Sequence, residues 1–182
     1  MRPIHIAERS RMNVVFLDYD GVVNTPFWEQ QDDGKWICRF NWPLDNKVND
    51  EQAVQWVSEF CEKYGYSIVV SSSWRTDDNY IECLRNAGLR DSVEVIGKTP
   101  SLPYDTRTDE ILLWLKDHPE TDAFLIFDDD EVDARLRDHL VKCRTGHGFK
   151  GPEMQVAEAM HNMLSNRERW RGSERGNNEQ RS

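Results

Sequence analysis

The chain has 182 residues, of which 38% are hydrophobic and 31% charged, and its formal net charge is −10. That length and balance suit one globular domain with a real core. They exclude a membrane helix, which needs a run of about 20 apolar residues, and they oppose non-specific nucleic-acid binding, which needs a basic face.

In chain order, residues 1–12 read as a basic N-terminal extension, followed by a short apolar strand at 14–17 that ends in Asp18. No apolar stretch with a cleavage site follows the basic start, so the expected location is cytoplasmic. Residues 25–47 are aromatic and polar without a clear period, and read as a flap-like insertion. Residues 50–64 place Ala53, Val57, Phe60, Cys61 and Tyr64 on one face of a helix. Further short apolar runs lie at 67–70, 93–96, 123–127 and 140–143. A helix is expected over 107–116, with Thr106 as its N-cap and Asp109 three residues on. A short helix over 131–138 would be capped by Asp129 or Asp130. Pro152 suits a first helical turn, with Val156, Ala157, Met160 and Leu164 as its buried stripe. Met154, Met160 and Met163 read as core filler, and residues 166–182 as a disordered polar tail.

Continuous apolar strands alternating with helices predict an α/β fold. The expectation is a three-layer, doubly wound domain over residues 13–165, with a five-stranded, mostly parallel sheet and no large cap domain. In such sheets the site lies at the carboxyl ends of the strands.

Those ends carry the chemistry. The first strand runs into Asp18-Tyr19-Asp20-Gly21, two carboxylates at i and i+2 followed by a residue free to turn. The fourth ends in Asp128-Asp129-Asp130-Glu131. If these ends are neighbours, the carboxylates repel one another unless a hard divalent cation such as Mg²⁺ joins them. The second strand ends in Ser71-Ser72-Ser73-Trp74-Arg75, hydroxyls and backbone N–H groups suited to an anion, with Arg75 as a bidentate clamp.

The set resembles the haloacid dehalogenase (HAD) superfamily of phosphatases: Asp18, Asp20 and Gly21 match its first motif, Ser71 its second, and Asp128 with Asp129 its fourth. FLDYDGVVN, VVSSSWR, GKTP, an Arg before Glu-Ile, and FDDDE resemble more narrowly the small capless branch. That branch includes domains associated with RNA repair and the phosphatase half of polynucleotide kinase-phosphatases. The resemblance implies a HAD-like Rossmannoid fold and a Mg²⁺-dependent phosphomonoester hydrolase with an aspartyl-phosphate intermediate. It implies Asp18 as nucleophile, Asp20 as acid and base, and Ser71 as a phosphoryl ligand. Gly21, Ser72, Arg75 and Lys98 are the further candidates for substrate binding. Mg²⁺ would be held by Asp18, the Asp20 carbonyl and Asp128, with Asp129 orienting the shell. The third-motif cation, usually Lys, falls on Arg107, with Lys98 as its rival. The expected substrate is a nucleotide or a nucleic-acid end. A small phosphorylated metabolite is the alternative, as is a catalytically weak binding module.

Plainer roles stand beside these. Ser72 and Ser73 read equally as turn residues, and Asp130 and Asp133 as caps or surface. Trp74 is expected to pack beneath the site. The five histidines default to the surface, and Thr145-Gly146-His147-Gly148 to a loop. Of the flap aromatics Phe27, Trp28, Trp36, Phe40 and Trp42, at least three are expected in a mini-core rather than in base stacking. Cys38, Cys61, Cys83 and Cys143 form no CxxC pair and read as reduced, mostly packed thiols.

Overall fold

The alternation of apolar runs and amphipathic segments becomes, in a computed structural model, a parallel sheet between helices. Residues 12–103 and 106–179 are described, with side chains for all but 43 and 167–179. The proposed extension at 1–12 therefore lies outside them except for Met12. The elements are β1 (Met12–Leu17), β2 (Phe27–Gln30), β3 (Trp36–Arg39), α1 (Glu51–Tyr64), β4 (Tyr66–Val70), α2 (Tyr80–Asn86), β5 (Val95–Lys98), α3 (Arg107–Asp117), β6 (Thr121–Asp128), β7 (Leu140–Lys142) and α4 (Gly151–Glu179).

The main sheet has the order β5-β4-β1-β6-β7. Every pairing in it is parallel. Alternation along the strands divides the core into two layers. Val15, Leu17, Ile68, Val70, Leu125 and Phe127 face residues of α1, α2 and α4, among them Val57, Leu84 and Ala157. Val14, Phe16, Val69 and Ile126 face Ile111 and Trp114 of α3, with Val132 and Leu136 beside them. The sheet is thus covered on both faces, which is why its central strands β1 and β4 and the second half of β6 are almost wholly apolar.

Helix ends obey their sequence signals. Asp50 caps α1 by accepting from the Ala53 amide at 3.0 Å, and Gly65 closes it in the left-handed region at φ 68°. Thr106 and Asp109 form the reciprocal capping box of α3.

Several expectations need correction. No helix spans 131–138; only a short 3-10 turn forms, at Arg137–His139. Asp133 takes the Arg135 amide at 2.8 Å and gives its own to Thr108 Oγ1 at 3.1 Å, a local alternative to helical bonding. Met163 is 59% exposed, not core filler, and Val156, expected in the buried stripe of the last helix, is 48% exposed. Three histidines expected at the surface are half-buried: His118 and His139 stack on Trp114 and Phe124 at 3.7 and 3.9 Å, and His161 lies against Tyr64 with ring centroids 4.3 Å apart. The flap has no mini-core: Trp28, Trp36 and Trp42 are 66%, 60% and 68% exposed and Phe27 39%. Its hairpin β2–β3 forms a separate two-stranded sheet, so it has no second layer in which to bury both faces. Beyond the core, α4 continues to Glu179, through the segment read as a disordered tail. Cys61, Cys83 and Cys143 are buried and Cys38 is exposed, all as free thiols.

Candidate active site

The backbone ladder does not stop where the strands do. The Asp18 amide donates to Phe127 O at 3.0 Å, the Ser71 amide to Leu17 O at 2.8 Å, and the Thr99 amide to Val70 O at 2.9 Å. The Cys143 amide donates to Asp128 O at 2.8 Å. Asp128, Asp18, Ser71 and Thr99 are thereby set side by side across the carboxyl ends of four adjacent strands. Thr99 donates to Ser71 Oγ at 3.5 Å.

Three carboxylates converge there. Ligand atoms of Asp18, Asp128 and Asp129 lie within 4.8 Å of one another. Asp18 and Asp128 are buried, at 6% and 2% exposure. Arg107, at the start of α3, donates from Nη1 to Asp18 Oδ1 at 3.1 Å and to Asp128 Oδ2 at 2.6 Å. Burial pushes the Asp18 carboxyl up to about 7, against the pull of Arg107, while Asp128 raises it further and a hydrogen bond from Ser72 lowers it. Asp128 is likewise raised by burial, with Arg107 opposing. One guanidinium against three carboxylates leaves a net negative, all-oxygen donor set, which fits a hard divalent cation such as Mg²⁺.

Gly21 shows how tightly this corner is built. It turns at φ 76°, and a Cβ there would lie 2.1 Å from Asp129 Oδ2 and 2.2 Å from Asp129 Cγ. Asp129 can reach the cluster only past a residue with no side chain. Thr145 then donates to Asp129 Oδ2 at 2.6 Å, so the segment read by default as a loop holds one of the acids.

The Asp20 carboxylate stands apart from the cluster. Trp74 Nε1 donates to both of its oxygens at 3.2 Å, and Asn24 Nδ2 to Oδ1 at 2.6 Å. Asn24 is fully buried. Trp74 does pack in the core at 3% exposure, yet its indole N–H reaches the site. Trp74 and Asn24 are the partners of Asp20 that sequence reasoning did not find. Asn24, four residues after Asp20 within a tight turn, carried a local signal. Trp74 carried none, because its contact joins two distant strand ends.

The remaining candidates separate. Ser71 is 1% exposed in the row itself, and Ser72 both accepts from the Trp74 amide and bonds Asp18. Arg75 does not present the clamp expected of it. Its guanidinium pairs with Glu110 at 2.6 Å and donates to Ser72 O and to Pro100 O, the latter at 3.4 Å. Its side chain is 8% exposed, so it braces the loop that carries Ser72 rather than meeting solvent. Lys98 is exposed and donates to Arg75 O at 2.8 Å, with its ammonium 4.8 Å over the Tyr80 ring. Of the two rivals for the third-motif cation, Arg107 therefore touches the acids and Lys98 does not.

A family model described as the HAD domain in Swiss Army Knife RNA repair proteins matches residues 14–154. Among solved structures, a hypothetical protein from Xanthomonas campestris aligns at 14% identity over 87% of this chain and 86% of its own, with a TM-score of 0.40. No curated protein matches the chain.

Proposed function

The chain belongs to the family of HAD domains in Swiss Army Knife RNA repair proteins, and we propose from that premise that it hydrolyses phosphomonoesters through Asp18, on a nucleotide or a nucleic-acid end. The observation that carries the reading is the row of Asp128, Asp18 and Ser71 at adjacent strand ends, with Arg107 bridging the two acids.

Asp18 Oδ attacks phosphorus and the bond from phosphorus to the leaving oxygen breaks, giving an aspartyl-phosphate. Asp20 gives its proton to the departing alkoxide, and later takes one from the water that splits the acyl phosphate. Trp74 and Asn24 fix the direction of that carboxyl. Ser71, with Ser72 beside it, receives the phosphoryl oxygens. Arg107 holds Asp18 and Asp128 together and offsets their charge, as a lysine would, but through one nitrogen of a planar fork. Asp18, Asp128 and Asp129 would hold Mg²⁺, together with the Asp20 carbonyl. Bound there, the ion would neutralise charge on the transferring phosphoryl group.

Cytoplasmic location remains our reading from the sequence; among the described residues no helix is long and apolar enough to cross a membrane. RNA repair, the setting of the family, supports nucleic-acid ends as the substrate class. The test is hydrolysis of a nucleoside monophosphate with and without Mg²⁺, for wild type and Asp18→Asn. Removing a nucleophile is expected to lower turnover by at least about 10³-fold. Wild-type turnover by the variant would sink the covalent route.

A further inference from the structure

Next to the acid row is a cavity of about 470 Å³ whose lining includes Asp20, Trp42, Leu44, Ser73, Trp74 and Asp77. That volume is within the roughly 300–1,000 Å³ of small-ligand sites. Its buried end is Trp74, the residue that donates to Asp20. Its open side carries Trp42, 68% exposed, and Leu44, 92% exposed. Because Asp20 is in its lining, a group there would lie beside the carboxyl that the phosphatase reading assigns to the leaving oxygen, and this is the place for the leaving alcohol.

Trp42 is not a loose aromatic. Its amide donates to Asp45 Oδ2 at 2.6 Å, and the Asp45 amide returns to Trp42 O at 2.9 Å. On one side Asn41 is bonded by Asn24, the residue that also holds Asp20. On the other, Asn46 turns at φ 55° and accepts from Asn79 at 3.0 Å and from Asn86 at 2.7 Å, at the two ends of α2. This network fixes the backbone on both sides of a ring that is itself mostly in solvent. An exposed indole on an anchored backbone is a surface prepared for a flat partner, since stacking on it costs little further ordering.

The charge of the cavity narrows the partner. Among the described residues, the charged ones in its lining are Asp20 and Asp77, both acidic. A phosphodiester chain running through it would meet like charge and no cation.

We infer that this cavity is a nucleobase subsite: the protein recognises the single nucleoside that bears the phosphate, by stacking its base on Trp42, and does not grip the phosphodiester backbone beyond it. This rests on the phosphatase reading above and adds its unit of recognition. A free nucleotide and the last nucleotide of a strand present the same base, and differ only in the strand attached to the second.

The experiment compares kcat/KM for a nucleoside monophosphate, for the same nucleotide at the 3′- or 5′-phosphorylated end of a single-stranded oligonucleotide, and for ribose 5-phosphate. Wild type and Trp42→Ala are measured at low and high salt. In Trp42→Ala, the preference for the nucleotide over ribose 5-phosphate is expected to fall by about 5–150-fold, the worth of one base stack, mainly through KM. In wild type, the oligonucleotide end and the free nucleotide are expected to differ by only a few-fold at either salt. An unchanged preference in Trp42→Ala overturns the base subsite. A strongly salt-dependent advantage for the oligonucleotide overturns the single-nucleoside limit. If wild type turns over none of the three, the phosphatase reading fails by itself. Calorimetric titration with the nucleoside monophosphate then decides the subsite, which requires binding by wild type that weakens by the same factor in Trp42→Ala.

Discussion

Asp18, in the acid row at the strand ends, is separated from Arg39 at the end of hairpin β2–β3 by 21 residues of chain, yet the row and the hairpin are built in opposite ways. In the row, each side chain is set by a backbone bond to the next strand, and Asp18, Ser71 and Asp128 are at most 6% exposed. The hairpin pairs only with itself. Register puts Trp28, Gln30, Trp36 and Cys38 on one face, and Phe27, Glu29, Ile37 and Arg39 on the other. Only Ile37 among these is even partly buried. Arg39 and Glu29 pair on that second face at 2.7 Å. The difference teaches that aromatic content does not make a core: burial requires a second layer, and among the described residues no other strand pairs with the hairpin and seven of its eight strand residues are exposed.

The comparison should break first at the row. Gly21→Ala must displace Asp129, because its Cβ would overlap that carboxylate, and the positive φ adds strain of roughly 1–2 kcal/mol. The Mg²⁺ concentration for half-maximal activity is expected to rise by about 10–100-fold, the usual cost of disturbing the surroundings of a metal ligand. Titration of activity with Mg²⁺ measures it, and an unchanged midpoint would show that Asp129 has no part in holding the ion.

A smaller effect is expected one step out. Trp74→Phe keeps most of the buried ring but removes the donor shared by the two Asp20 oxygens. A hydrogen bond is worth about 0.5–1.5 kcal/mol, so kcat should fall by roughly 2- to 10-fold, with less change in KM. If kcat held while the melting temperature dropped, Trp74 would be only a packing residue. The smallest effect belongs to the hairpin. Trp28→Ser with Trp36→Ser should change unfolding free energy by less than about 0.5 kcal/mol per site, as for other exposed positions. Denaturant unfolding tests this, and a loss of several kcal/mol would mean that the indoles have a folded partner.

The same contrast explains what the sequence made legible. All five strands of the main sheet were visible as apolar runs; the central ones are buried on both faces and need no alternation to be seen, while the edge strand β5, only partly buried, starts two residues later than its run at 93–96. Asp18, Ser71 and Asp128 came with them, since each is the first polar residue after such a run or closes it. Arg107 was visible through the Thr106 cap that starts α3. Lost to view were features made by distant partners. The Trp74–Asp20 contact joins positions 54 residues apart. The inward turn of Arg75 depends on Glu110, 35 residues on. The burial of the flap aromatics was misjudged because composition reports how apolar a segment is, not whether anything lies across from it. The 131–138 helix failed for a local reason, since Asp133 found nearer bonds than a helix would give it.

Because the amides of Asp18, Ser71 and Thr99 and the carbonyl of Asp128 are rungs of the sheet's own ladder, the acid row has no lifetime separate from that of the fold. Such rungs open only when the central strands part, the rarest fluctuation the molecule makes. Heating a population of these molecules would therefore leave fewer working copies rather than weaker ones, and the activity that survives would belong to proteins still whole.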